Sequence, residues 1–376
     1  MSVVSFAAHF ADLPDPRIAR KRRHALLDIV VLTLCAVLCG AEGWDDIERF
    51  GLAKETWLRE RLGLSLTSGI PSDDTFRRVF SRLDPDAFAA CFRRFVETLR
   101  EVTGGEVIAL DGKTLRHSFD TAVEQKPLPL VSAWACRHRL VLGQKAVSEK
   151  SNEITAVPAL LSLLDIEGCV ITADAMSCQK TIATQIVKQK GDYVLALKDN
   201  HPHLAEDVAA LFTHPKSGRK FAASTTHDWG HGRAEVRRVR CLFLEENDPD
   251  WFDAQQEWAG LRCLVQVERE RRIGDKGTVE AHYFLSSLSS QTASAARLGR
   301  IVRQHWGIEN GLHWVLDVAF DEDACRIRRD HAPVNWAILR PLALNLLRKH
   351  PGKMGVKAKQ KKAGWDNDFL LQLIVA

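Results

Sequence analysis

What this 376-residue chain lacks narrows its reading first. Its nine cysteines are odd in number and follow neither a disulfide framework nor a zinc-ribbon spacing, which sets aside a small secreted scaffold and a structural zinc domain. Cys35 and Cys39, the only close pair, sit on an apolar stretch where packing is their role. The expectation is a reduced, cytoplasmic, nucleoid-associated protein. No apolar run reaches membrane length. Ile29 to Ala41 is too short to span a bilayer, and behind ARKRR it starts too late and lacks the small-x-small site of a signal peptide. It reads as a buried helix, with no membrane partner expected. Internal repeats and long low-complexity segments are absent too, and 45% hydrophobic with 27% charged residues is an ordinary globular balance. The length allows one large domain with additions, or two to three modules.

A large excess of one charge is also missing, since the net charge is only +4. Its distribution says more. Basic clusters lie at Arg17 to Arg23, Arg233 to Arg240, Arg269 to Arg272, Arg326 to Arg329 and Arg348 to Lys362, the last with seven Lys/Arg and no acid. A single charge run is usually a solvated face. Five in one chain are better explained jointly by a nucleic-acid surface.

Periodicity divides the chain. Residues 1–102 read as all-helical, with helices over Ala25 to Cys39 and Trp44 to Leu62. A third starts at Pro71-Ser72, where Ser72 suits an N-cap, and a fourth starts at Asp84-Pro85. The last two, with Arg77, Arg78 and Arg82 exposed, resemble a helix-turn-helix DNA reader; a plain helical bundle capping a catalytic domain fits the same text. Residues 103–212 change to strands at Val107 to Leu110, Leu128 to Ala135, Val141 to Val147, Cys169 to Thr172 and Tyr193 to Leu197. Helices over Ala156 to Leu164, Gln179 to Lys190 and His203 to Phe212 intervene, and the pattern predicts an α/β fold with a largely buried sheet. Residues 213–290 alternate as a β-rich insertion, with strands at Val236 to Leu244, Leu261 to Val267 and Val279 to Leu288. Residues 291–350 return to helix, the last one interrupted at Pro341. Residues 351–376 read as a basic linker and a short closing segment.

Two aspartates, Asp111 and Asp174, each end an apolar strand. Either alone would merely cap a turn. Together with Glu309, set four residues from both His305 and His313 on a helix and close to Trp306 and Trp314, they make a triple. Three converging carboxylates repel unless cations join them, and hard oxygen ligands select Mg²⁺ or Mn²⁺ over zinc. Such a site supports phosphodiester displacement. Lys113 and Lys198, just beyond the strands, are placed to neutralise scissile phosphates. His227 and His231 have a ligand spacing but nothing to complete a zinc site, so a turn feeding the DNA-contacting strand with Arg233 and Arg237 is preferred. An unpaired base could stack on Trp306, while Trp314 is expected in the core. Asp317, Asp321, Glu322 and Asp323 read as a solvated helix end.

Four motifs carry a family resemblance: ALDGKTLRHS at Ala109 to Ser118, ITADAMSCQ at Ile171 to Gln179, GDYVLALKDN at Gly191 to Asn200, and the run HWGIENGLHWVLDVAFDED. With the helical N-terminal text and ALNLLR at Ala343 to Arg348, they resemble bacterial insertion-sequence transposases of the H-repeat-associated, DDE type, over about Phe10 to Leu373. The resemblance implies a ribonuclease-H-like catalytic domain interrupted by the β-rich insertion. It also implies Asp111, Asp174 and Glu309 as the acidic triad holding Mg²⁺ (or Mn²⁺), cleavage of double-stranded DNA at element ends, transfer of 3′-hydroxyl ends into target DNA, and a homodimer joining two ends. The broader superfamily often carries a tyrosine seven before the glutamate, an arginine four before it and a lysine seven after. Here these are Val302, His305 and Leu316. His305 stands in for that arginine as a phosphate donor, with Arg303 or His313 substituting in part. Two rivals stay open: a nuclease of the same fold that never joins ends, and a non-catalytic DNA-binding protein derived from an old element.

Overall fold

Helices α1 (Val3–Ala8), α2 (Leu26–Leu38), α3 (Trp44–Leu62), α4 (Asp73–Arg82) and α5 (Pro85–Leu99) fill the first hundred residues of a computed structural model. The structure describes residues 3–99, 105–119, 126–147, 153–198, 200–213, 220–230, 232–244, 257–274 and 276–375. Apolar all round, α2 is buried from Asp28 to Leu38 and serves as a hub rather than a surface helix. Asp28 is tolerated there because its Oδ2 accepts from the Ser65 hydroxyl (2.6 Å) and the Leu66 amide (3.0 Å). Gly63, left-handed at φ 70°, closes α3. Ser72 does stand at the α4 N-cap, yet its hydroxyl caps nothing; Glu48 Oε2 accepts from the Asp73 amide instead. None of the described helices is long and apolar enough to cross a membrane.

The sheet begins as an antiparallel meander, β1 (Val107–Leu115), β2 (Leu128–Ala135) and β3 (Leu140–Ala146). Helix α6 (Glu153–Leu161) leads to β4 (Val170–Ala173), and α7 (Lys180–Lys188) to β5 (Asp192–Leu197), both parallel to β1. After α8 (Pro202–Thr213) come β6 (Ala222–Gly230), β7 (Arg233–Phe243), β8 (Cys263–Ile273) and β9 (Lys276–Ser286), all antiparallel. These four build no separate sheet. Strand β9 pairs with β5 from Val194↔Ser286 to Leu197↔Tyr283, giving one sheet in the order β3-β2-β1-β4-β5-β9-β8-β7-β6. The architecture is mixed α/β around that sheet. Helix α9 (Ala295–His305) lies across β1, β4, β6 and β7, its Leu298, Ile301 and Val302 buried against Val107, Val170 and Val239. Gly299 permits the approach to β7, since a Cβ there would meet Val239 Cγ2 at 2.7 Å.

A π turn (Glu309–His313) and α10 (Trp314–Phe320) continue the α9 run, and α11 (Ala332–Lys349), α12 (Val356–Trp365) and α13 (Asn367–Val375) follow. Three expectations need correction. Pro341 does not interrupt α11: burial of nearly every residue from Ala332 to Leu347 outweighs the roughly 3 kcal/mol a proline costs inside a helix. The stretch read as a basic linker contains α12, whose Lys359 is buried because its Nζ donates to Leu347 O and His350 O, both at 2.7 Å, capping the carbonyl end of α11. Trp314 is 60% exposed rather than in the core. The buried side of the run holds Ile308, Leu312 and Leu316, and the π turn leaves Trp314 opposite them.

Helix α11 joins the N-terminal helices to the sheet through two buried asparagines. Asn335 Nδ2 donates to Phe80 O (2.8 Å) and Leu83 O (2.9 Å) at the end of α4. Asn345 acts on the free edge of β3 as a neighbouring strand would, donating to Val141 O and accepting from Val141 N, each at 2.9 Å. Asn345→Ala leaves both groups of Val141 unpaired in a dry site. We expect a loss of about 2–4 kcal/mol in urea denaturation, whereas exposed positions such as Leu52 should tolerate alanine within about 0.5 kcal/mol.

Candidate active site

The β1–β4 register fixes where the two aspartates emerge. Ala109 pairs with Thr172 in this parallel ladder, and Asp111 and Asp174 each lie two residues farther on. The period of two puts Asp111 on the β1 face that α9 covers, and Asp174 follows directly from the end of β4, a neighbouring strand about 4.8 Å away. Both line a cleft of ≈ 680 Å³ together with Lys198, His305, Trp306 and Glu309.

His305, at the end of α9, shares a hydrogen bond with Thr172 Oγ1 through Nδ1 (3.1 Å). Burial drives its pKa below the ordinary histidine value, against the opposing charges of Asp111, Asp174 and Glu309. Asp174 Oδ1 accepts from the Ser177 amide (3.1 Å), which folds the loop after β4 back on itself. Asp111 Oδ2 accepts from His313 Nε2 (3.0 Å). His313 thus orients a carboxylate, a role that its sequence assignment to DNA did not foresee.

The oxygen-only donors of the aspartate pair, lining one cleft, suit a hard divalent cation. Among the described residues, however, no three His, Cys, Asp or Glu side chains stand close enough to enclose an ion. Glu309 is exposed at the start of the π turn and lines the cleft without closing a three-carboxylate cage. Asp111 and Asp174 are the residues that could hold a metal, with Glu309 facing them.

Lys113 stands apart from the cleft. On the same β1 face as Asp111, it donates to Asp317 and to Glu322 Oε2 (3.0 Å) and lies 3.2 Å from Asp323 Oδ1. Burial opposes its charge, but the Glu322 charge and the Asp317 hydrogen bond outweigh it and raise the Lys113 pKa. The acidic patch read as a solvated helix end is therefore the socket of this lysine; Glu322 is only 2% exposed. Strand and helix run in step here. Two residues of strand advance about 6.6 Å and four of helix about 6 Å, so Asp111 meets His313 as Lys113 meets Asp317.

The far wall of the cleft is one face of the four added strands: Arg233, Glu235 and Arg237 of β7 opposite Arg269 and Arg271 of β8, with Arg300 and Arg303 from α9. Seven Arg or Lys face four acids among the lining residues, so the cleft attracts anions. On the other face Arg238 is neutralised by Glu268 (2.8 Å) and Glu270 (2.9 Å). Asp228, missed in the sequence, bridges Arg237 (2.9 Å) and Arg303 (2.8 Å) and ties the added strands to α9. Arg300 was missed as well; its position three before Arg303 on one helix was the available signal. Trp306 is 52% exposed at the cleft edge. Arg77 and Arg78 lie elsewhere, on α4, both paired with Asp74, Arg78 at 2.9 Å. His227 is exposed on β6, and His231 lies outside the described residues.

Known proteins share this sequence along its whole length. A family model described as "Transposase DDE domain" matches residues 103–346, and one described as "DDE_Tnp_1-associated" matches residues 7–96. "Putative transposase YncI" of Escherichia coli O157:H7 is 39% identical over 100% of this chain and 96% of its own. "H repeat-associated putative transposase YhhI" of Escherichia coli (strain K12) is 37% identical over 100% and 98%. A shorter protein of that strain, "Inactive transposase YbfQ", is 43% identical over 22% of this chain and 95% of its own. Among solved structures, a piggyBac transposase synaptic complex with hairpin DNA aligns at TM-score 0.38 and 11% identity, covering 97% of this chain and 76% of that one. With both family models and full-length relatives in agreement, the chain belongs to the H repeat-associated, DDE-type transposases.

Proposed function

We propose that this protein cleaves double-stranded DNA at the ends of its insertion element and transfers the 3′-hydroxyl ends into target DNA by metal-dependent phosphodiester displacement. The observation that carries the reading is that Asp111 of β1 and Asp174, the residue just past the end of neighbouring β4, line one arginine-rich cleft together with Glu309. Strand order β3-β2-β1-β4-β5 with α6 and α7 as crossovers supports a ribonuclease-H-like core, β6 to β9 being its insertion and α1 to α5 a possible DNA-binding module.

Roles follow from placement. Asp111 and Asp174 would hold the Mg²⁺ or Mn²⁺, with Glu309 lining the same cleft as the third carboxylate, and His313 keeps Asp111 aimed. When bound, such ions stabilise the leaving oxygen and acidify the attacking water or 3′-hydroxyl. Arg233, Arg237, Arg303 and Lys198 take phosphates, and His305 donates a hydrogen bond at the cleft floor. Arg237 and Arg269 stand directly opposite each other in the ladder, each held by a carboxylate, Asp228 (2.9 Å) and Glu280 (2.7 Å) respectively. Arg77 and Arg78 serve a separate contact to the duplex, and a homodimer would bring two ends together.

A duplex carrying the inverted repeat that flanks the reading frame tests this directly. With Mg²⁺ the protein should nick it and join precleaved ends to a plasmid. Nicking without joining returns the nuclease reading. DNA binding with neither reaction, in Mg²⁺ or Mn²⁺, returns the non-catalytic one.

A further inference from the structure

Along the outer side of α9, the π turn and α10, four residues are exposed at intervals of four: Trp306, Asn310, Trp314 and Val318. Trp306 borders the cleft described above. Trp314 and Val318 instead line a second groove of ≈ 520 Å³ between α10 and α12, within the range of roughly 300–1,000 Å³ of small-ligand sites. The two indoles are roughly 10–12 Å apart at a helical rise of 1.5 Å per residue.

Two observations define what the groove would take. Its floor is open and apolar, with Trp314 60%, Val318 54% and Met354 39% exposed. Its rim is basic: Arg139 and Lys357 are exposed on it, and among the described residues no Asp or Glu lines it. Glu42 approaches Lys357 from outside at 3.8 Å. A rim of one sign around a solvent-facing indole complements phosphate and base together. A paired duplex keeps its bases stacked inside and would leave the indole unused. A second protein chain would need acids to match the rim.

We propose that this groove binds unpaired DNA, with a base stacked on Trp314 and the backbone held by Arg139 and Lys357. The inference rests on the transposase reading for its source of DNA: a nick leaves both strands paired but lets the bases beside the cut unstack and fray into reach of the groove. It needs none of the cutting chemistry. Binding of the full-length protein to a fluorescent oligo(dT) 15-mer and to a 15-bp duplex is therefore measured in EDTA. Trp314→Ala should weaken the single strand about 5- to 100-fold, leave the duplex within about twofold and leave the denaturation midpoint in place; Trp314→Phe should restore most of the loss. Unchanged single-strand affinity overturns the proposal, and so does an equal loss on both DNAs. A shift from dimer to monomer in Trp314→Ala without DNA also overturns it, showing the groove to seat a second copy. Protein that cuts normally yet ignores Trp314 refutes the groove alone; protein that binds through Trp314 yet never cuts refutes the catalytic reading alone.

Discussion

Asp111→Asn should lower Mg²⁺-dependent nicking about 10³-fold or more while leaving DNA binding intact. The size follows from the role: a ligand to the activating cation contributes in the transition state, and losses of groups that act as a unit reach this range and beyond. Fold should be spared, because asparagine is nearly isosteric and keeps an oxygen to accept the His313 hydrogen bond (3.0 Å). Affinity for the duplex should hold or rise slightly, since one negative charge leaves a cleft that otherwise attracts phosphate. Asp174→Asn should behave alike, since it lines the same cleft from the end of the neighbouring strand. His313→Gln offers the graded control. It removes an orienting partner rather than a ligand, so nicking should fall only about 10- to 100-fold. Single-turnover nicking at saturating protein separates these outcomes from binding. Asp111→Asn at full activity would remove the residue from the mechanism.

How much of this was legible in the sequence depends on whether burial left a mark on the text. Strands β2, β4 and β5 are mostly apolar runs, and Trp44–Leu62 has a clean helical stripe; their bounds were read nearly as the structure has them. Strand β6 gave no signal. It is the edge of the sheet, largely exposed on both faces, and AASTTHDWG has no alternation to detect. The β-rich stretch was recognised, but its fusion to β5 through β9 is a pairing between residues 90 apart that no local pattern announces. At the candidate site the two aspartates were visible because each ends an apolar run. Their neighbours were not: Thr172 looks like strand filler until His305 meets it, and Asp317 and Glu322 look solvated until Lys113 is found among them. Lys359 misled for the converse reason, as seven basic residues in a row of fifteen suggest solvent, yet one face of that helix is buried.

Lys113→Met should be the most destabilising single change near the site, by about 3 kcal/mol. Removing one partner of a buried ion pair typically costs about 3–5 kcal/mol because the other charge is stranded. Glu322, 2% exposed, is stranded in that sense; Asp317 and Asp323, with side chains 33% and 26% exposed, still reach water and draw the figure toward the lower end. A second change discriminates. In Lys113→Met with Glu322→Leu the stranded charge is gone, and the pair should recover part of the loss, with a coupling of about 0.5–3 kcal/mol. The clasp also holds β1 against α10, one step along from the contact between Asp111 and His313. Loosening it should cut nicking about 10- to 100-fold with duplex affinity unchanged, and the double variant should regain activity together with stability. The rival role, a lysine neutralising the scissile phosphate, makes the opposite forecast. Affinity and nicking would then fall together at constant stability, and removing Glu322 would rescue nothing. Denaturation midpoints and nicking rates for the two single variants and the double decide between them, because only a clasp lets a carboxylate outside the cleft determine whether loss of this lysine is tolerated.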